Sequence, residues 1–431
     1  MKVKTIKSLC GMLAVLAFTA CSSNIDESAD APRFYNVTLT ASMGDADTRA
    51  LSESGNVITA TFAENDEVKV VKADGSLVGT LTAQTAGAKT TLTGTITGEF
   101  FVNEVLTLRY RSETANYGGQ VGTLVGIAAG QDYAEGTLKV TSTSPSLTFE
   151  SNSVTLKAKQ SITKFTFKDA STNAAVSVKT FGIAAAGLVY SIAADATETT
   201  GAVTGTLATA SSDVYVALRN NTDVKQTYAF TIQDNAGNWY TATKNAKLTN
   251  GKNYASTVTL TKWIDKDNNL SSSSVVGTIG LLNGLPAIAI GGNNAIALMN
   301  AGALCPEAYG TYYTFANRAS GLSNGWYVPT EAELTSFKNT YSSTWGAPHG
   351  VNGRTFTIGS NSIFLPAAGL DDGDNVPSDY YNVSTFGYYW SSTVSETLPI
   401  CLSFSSSVVN IISDYPSDAL SVRPFHALPA Q

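Results

Sequence analysis

The 431-residue sequence has only two histidines, His349 and His426, only four cysteines, and only 14% charged residues. Each scarcity removes a class of function. Neither histidine sits in an HExxH string, in a zinc-ligand spacing or beside a cysteine nucleophile, so both read as loop or surface residues. Cys10 and Cys21 belong to the extreme N-terminus, which leaves Cys305 and Cys401 as the one conceivable pair and excludes a disulfide scaffold. Soluble domains ordinarily carry about a quarter charged residues. Here 27 basic against 34 acidic side chains give a net charge of −7, which argues against nucleic acid as a partner. The stretch at residues 9–18 is apolar but too short to span a bilayer. The string GLSNG at 321–325 matches GxSxG, but a nucleophile elbow needs a strand before it and a helix directly after, so a plain turn is expected. No enzyme, cofactor or metal is implied.

What is present begins at the N-terminus. Lys2, Lys4 and Lys7 precede the apolar stretch, and Thr19, Ala20 and Cys21 follow it. This is the layout of a secretory signal, expected at 1–21. A cysteine directly after the small residue suits lipoprotein processing, because its thiol accepts the diacylglycerol that holds the mature chain in a bilayer. Residues 22–32 are polar and read as a tether. Loss of the three signal lysines leaves 24 basic residues against 34 acidic, a formal charge of about −10.

From residue 34 to 262, short runs alternate with period two between clusters of Gly, Asn, Asp and Ser. Val154, Leu156 and Ala158 share one face while Thr155, Lys157 and Lys159 share the other, and the same pattern recurs at Phe165 and Phe167, at Val214, Val216 and Leu218, and at Tyr228, Phe230 and Ile232. Such runs make half-buried antiparallel strands. A break at residues 142–146, containing Pro145, predicts two sandwiches, 33–145 and 146–262. Residues 263–274, with DKDNNLSSSS at 265–274, lack an apolar period and read as a linker. Beyond it, Thr330 with Glu333 forms a capping box after Pro329, which predicts a helix over 331–341 inside an α+β domain at 275–431.

The first region resembles the fimbrillin family, pilus subunits with two transthyretin-like sandwiches. The resemblance is carried by the cysteine-terminated signal, Thr48-Arg49 before a strand, Asp66-Glu67-Val68 opening the next, and LTNGKNYASTVTL at 248–260. It implies an outer-membrane lipoprotein at the cell surface or in a fimbrium, lipidated at Cys21. It also implies cleavage after Arg49 that removes the first strand, so that a neighbouring pilin subunit can add its own. The plain alternative for Arg49 is a surface arginine.

The last region resembles C-type lectin-like domains of the formylglycine-generating-enzyme type, including the variable proteins of diversity-generating retroelements. The residues that carry it are GWYVPT at 325–330 with Glu333-Leu334, FLPAAG at 364–369, YWSST at 389–393, Leu402 with Phe404, and SVRPF at 421–425. The fold expected overall is mainly β: two sandwiches followed by this α+β domain. In the retroelement systems adenines are mutagenised, so Asn codons drift to Tyr, Ser, Ile, Val, Asp, Phe or Cys but not to Lys, Gln or Met. Between Ser378 and Val422 there is no Lys, Arg, Gln, Met or His. The resemblance therefore implies ligand-binding positions at Tyr380, Tyr381, Asn382, Ser384, Phe386 and Tyr388. It implies more at Cys401, Ser403, Val409, Asn410, Ile411, Ile412, Asp414, Tyr415 and Ser417. Tyr supplies rigid contact area, and Ser and Asn supply adaptable hydrogen bonds. Val408-Val409 and Ile411-Ile412 predict an exposed apolar patch. Asp371, Asp372 and Asp374 gather oxygen ligands, but the EPN or QPD triplet of calcium-dependent lectins is absent, and a solvated turn is expected.

The functional expectation is a pilus-tip or cell-surface adhesin whose ligand is a protein or glycan on another surface. With its final residues built into a globular domain, such a subunit has no strand to donate and would end a fibre. The alternatives are a non-variable structural anchor or cap, and a glycan-binding surface lipoprotein.

Overall fold

The structure, a computed structural model, describes residues 33–44, 52–54, 57–59, 61–372 and 380–430. Cys21, Arg49 and Asp374 lie outside them. The protein is mainly β, as its alternating runs predict, with two α-helices among the described residues.

The first unit is a closed ring of strands. β1 (Phe34–Met43), β2 (Glu67–Val71), β3 (Leu77–Ala83), β4 (Lys89–Thr97), β5 (Val105–Tyr110), β6 (Ala134–Ser142) and β7 (Ser153–Ala158) follow the order β7, β1, β4, β3, β2, β5, β6. Pairing of β6 with both β5 and β7 closes it, which removes the exposed edges an open sheet would present. Alternation does the sorting: Val37, Leu39 and Ala41 of β1 are buried, and each buried Val or Leu contributes about 1.5–3 kcal/mol.

The second unit contains β8 (Ser161–Asp169), β9 (Val178–Ala184), β10 (Leu188–Ile192), β11 (Val203–Ser211), β12 (Asp213–Asn220), β13 (Gln226–Asp234), β14 (Trp239–Ala246) and β15 (Asn253–Ile264). They run in the order β10, β12, β8, β15, β14, β13, β9, β11, folding around one core that holds Phe165, Phe167, Phe181 and Phe230. The two units share a connectivity device. β1 lies parallel to β7 and antiparallel to β4, and β8 lies parallel to β15 and antiparallel to β12.

The boundary expected at 142–146 is wrong. Pro145 follows the end of β6, and the next long strand, β7, rejoins the same ring, so the first unit continues to Ala158. Its chain also makes an excursion into the second unit. Ala115 and Asn116 pair with β10, Tyr117 is fully buried in the second core, and a short helix α1 (Leu124–Gly130), capped by Thr123, packs there through Ile127. Buried Gln120 stitches the two together: its amide donates to the carbonyls of Tyr117 (2.9 Å) and Ala217 (2.8 Å), and its oxygen accepts from the Ala217 N–H at 2.8 Å.

The third unit has β16 (Ile279–Leu282), β17 (Leu285–Ile290), β18 (Asn294–Ala297), β19 (Tyr313–Thr314), α2 (Glu331–Thr340), β20 (Ser343–Gly346), β21 (Gly353–Ile358), β22 (Asn361–Pro366), β23 (Gly387–Ser395), β24 (Leu398–Phe404), β25 (Val409–Ser413), β26 (Ala419–Leu420) and β27 (Phe425–Ala427). β27 pairs with β18, so the C-terminal strand is built into the unit. The predicted helix is present and its capping box is complete: the Thr330 hydroxyl accepts from the Glu333 N–H, and the Glu333 carboxylate accepts from the Thr330 N–H. The expected linker is packed instead. Leu270 is buried beside Leu282, its N–H donates to the Leu281 carbonyl, and Trp263 packs against the third core. One apolar residue at the right position converts a polar stretch into a fixed turn.

Candidate recognition face

Strands β23, β24 and β25 form an antiparallel sheet whose register decides which candidates share a face. Trp390, Cys401 and Ile412 are aligned across it, as are Tyr388, Ser403 and Asn410. Tyr389, Leu402 and Ile411 are aligned on the opposite face with Gly387, Phe404 and Val409. Because side chains alternate with period two, adjacent residues in sequence part company.

The second face is core. Tyr389, Leu402 and Phe404 are buried with Phe337 of α2, Phe356 and Phe425, and Val409 and Ile411 pack against them half-buried. The first face is covered at its centre: Trp390 is 0% exposed, its indole N–H donates to the Tyr313 carbonyl at 2.6 Å, and Phe315 meets its ring edge-on at 5.4 Å. Cys401 lies in the same buried cluster, with Leu420 and Val422.

Four of the expected contact positions are therefore corrected. Cys401 and Ser403 are buried, and Val409 and Ile411 turn inward. The expected apolar patch shrinks to exposed Val408 and half-buried Ile412 for the same reason. Burial pushes the Cys401 and Cys305 thiols up, which leaves both unreactive near neutrality, and the two cysteines are free.

Of the remaining candidates, Tyr388 and Asn410 lie toward one end of the first face, and Asp414, Tyr415 and Ser417 follow β25 at the other. Tyr381, Asn382, Asn410, Tyr415 and Ser417 are exposed, and Phe386, Tyr388 and Asp414 are half-buried. Phe386 stacks on Tyr388 with ring centroids 5.9 Å apart, and the Asn382 amide donates to the Tyr388 hydroxyl at 3.4 Å. The 382–386 loop is fixed from below. Asn382 and Ser384 adopt left-handed backbone, the Ser384 N–H donates to the Ala367 carbonyl at 2.8 Å, and the Gly369 N–H donates to the Phe386 carbonyl at 2.8 Å. A Cβ on Gly369 would stand 2.2 Å from the Tyr381 carbonyl oxygen, so only glycine admits the loop there. Ser384 and Tyr380 face elsewhere. Ser384 is half-buried, and Tyr380 packs on Tyr312 at 5.0 Å between ring centroids.

The electrostatics are acidic. Burial, and then a hydrogen bond that the protonated carboxyl donates to Asp414, push Asp418 up to about 6, with Asp372 adding to the effect. Burial also raises the Tyr388 phenol. Among the described residues no group of three His, Cys, Asp or Glu side chains is placed to hold a metal ion. His349 is an exposed loop residue, as expected, and its Nδ1 lies 2.7 Å from Glu307, a hydrogen bond that raises its pKa. His426 meets the Trp326 ring at 5.1 Å. Residues 321–325 form a turn ahead of α2, with no helix directly after the serine.

No protein-family model matches this chain, and no curated relative matches it. Among solved structures, a fimbrial assembly protein from Parabacteroides distasonis is 12% identical, with 52% of this chain and 91% of that one covered at a TM-score of 0.28. Shaft pilin SpaA from Lactobacillus rhamnosus is also 12% identical, with 54% and 98% covered at a TM-score of 0.24. At such scores the likeness carries no argument by itself.

Proposed function

We propose that the chain is a cell-surface adhesin of the pilus-subunit kind, lipidated at Cys21, whose third unit presents a lectin-like recognition face. One observation carries this reading. The residues of the scaffold motifs, Tyr389, Trp390, Arg423 and Phe425, are buried, while Tyr381, Asn382, Asn410 and Tyr415 stand exposed on the same unit. A rigid frame carrying exposed Tyr and Asn is the composition of a binding face with low ordering cost. The face is smaller than the sequence suggests, because Cys401, Ser403, Val409 and Ile411 belong to the interior. Their burial is what favours the second reading, a non-variable cap whose C-terminal sheet is ordinary structure.

Assembly by strand addition has a physical basis in the first unit. Release of β1 after a cut at Arg49 leaves a slot between β7 and β4, with the pockets of Val37, Leu39 and Ala41 vacated. N-terminal sequencing of native protein tests this: a start at Ala50 supports it, and a blocked, lipid-modified start supports an uncut anchor.

Genomic DNA tests the variable face. The reading expects a nearby near-copy of the segment encoding 378–425, with AAY codons at the exposed positions and an adjacent reverse transcriptase. An unchanged segment across many isolates selects the cap.

A further inference from the structure

A cavity of about 490 Å³ opens between the second and third units, a size and a location typical of small-ligand sites. Its walls come from both units. The second contributes Tyr190 of β10 and the outer face of β11, and the third contributes the 302–312 loop and Tyr380. We propose that this cavity is a binding site for a neutral saccharide. Only Tyr380 is common to this site and the positions discussed above, so the inference stands apart from the adhesin face.

The lining chemistry selects the ligand class. Among the described residues that line the cavity, none is charged. An anionic or cationic ligand would lose its hydration there without a compensating partner. Three half-buried tyrosines, Tyr190, Tyr312 and Tyr380, line the space, and the Tyr312 and Tyr380 rings lie 5.0 Å apart with their planes 33° from parallel. The two rings stack partly on each other, and a ring face left open beside the cavity suits the C–H face of a pyranose, which is apolar on its faces and polar around its rim. Thr204, Thr206 and Thr311 supply neutral hydroxyls for that rim. An aliphatic ligand would leave these hydroxyls without partners.

The cavity is built rather than left over. Tyr309 is buried at its floor and its hydroxyl donates to the Thr200 carbonyl at 2.8 Å, tying the two units together. The Tyr312 hydroxyl donates to the Ala368 carbonyl, which fixes that ring's orientation. Gly302 and Gly310 both adopt left-handed backbone, and a Cβ on Gly310 would stand 2.4 Å from the Ala301 carbonyl oxygen. The wall therefore folds tightly enough to keep the space open.

The test is a glycan array of neutral, sialylated and sulfated oligosaccharides probed with the full chain, followed by calorimetric titration of a neutral glycan that binds. Loss of one stacking ring in Tyr312→Ala is expected to weaken binding at least about tenfold. Thr206→Trp, at an exposed position on β11, fills the entrance and abolishes binding without disturbing the core. Asn410→Ala, on the sheet face, leaves it unchanged. Binding confined to acidic glycans, binding of no glycan, or equal affinity in wild type and Thr206→Trp overturns the proposal, as does loss of binding in Asn410→Ala, which moves the glycan to the sheet face. Should Tyr312→Ala fail to fold, Thr206→Trp decides alone.

Discussion

Arg423 is fully buried, and its guanidinium donates to the carbonyls of Ala297 at 3.1 Å and Phe364 at 3.0 Å. Burial lowers its pKa to about 10, so it stays charged at neutral pH while joining β18 to β22. Arg423→Ala leaves a cavity and two buried carbonyls without donors, and a loss of about 3 kcal/mol is expected in urea unfolding. Lysine there, reaching one carbonyl instead of two, falls between the two. Asp418 gives a pH dependence of definite sign. Its folded pKa of about 6 exceeds the ordinary 3.8, so the native state holds a proton that the unfolded chain has released. That contribution is complete at acid pH, below the unfolded value, and is lost as pH rises through the folded one. The thermal midpoint of the wild type should therefore fall more steeply between pH 4 and pH 7 than that of Asp418→Asn. Equal slopes would show that the fold does not raise Asp418.

At the scale of elements, α2 is the part most fully readable from local sequence. Its cap is specified by Thr330 and Glu333 three residues apart, and its buried stripe by Leu334 and Phe337. Thr330→Ala removes one half of the box and should cost about 1 kcal/mol by chemical denaturation. The Tyr327 hydroxyl also donates to Glu333 at 2.7 Å, so Glu333→Ala should cost at least as much. The three-stranded sheet was readable only in part. Period-two alternation is there in CLSF and VNII, but the sequence does not say which face meets the core, and a one-residue change of facing exchanges Ile411 for Ile412. Asn410 and Tyr415 were placed on the surface correctly, whereas Cys401 and Ser403 were misplaced because β19 and β26, remote in sequence, cover that face.

Over the whole molecule, the units are joined by close contacts rather than by free linkers. A Cβ on Gly182 of β9 would stand 2.4 Å from the Cβ of Cys305, and one on Gly350 would stand 2.1 Å from the Cα of Ala186. Gly182→Val should therefore pry the third unit from the second. The expected signs are a separate calorimetric transition for the third unit and protease cleavage within 265–274, neither of them expected in the wild type. The chain's own alternation determined that it is mainly β, and its Thr–Glu spacing determined α2, because both depend on neighbours within a few residues. Tertiary structure alone decided that the first ring extends to Ala158, that the excursion at 115–130 packs on the second core, and which tyrosines line the cavity between units. Those outcomes depend on contacts between residues far apart in the chain, and no local pattern encodes which distant partner a strand or loop will meet.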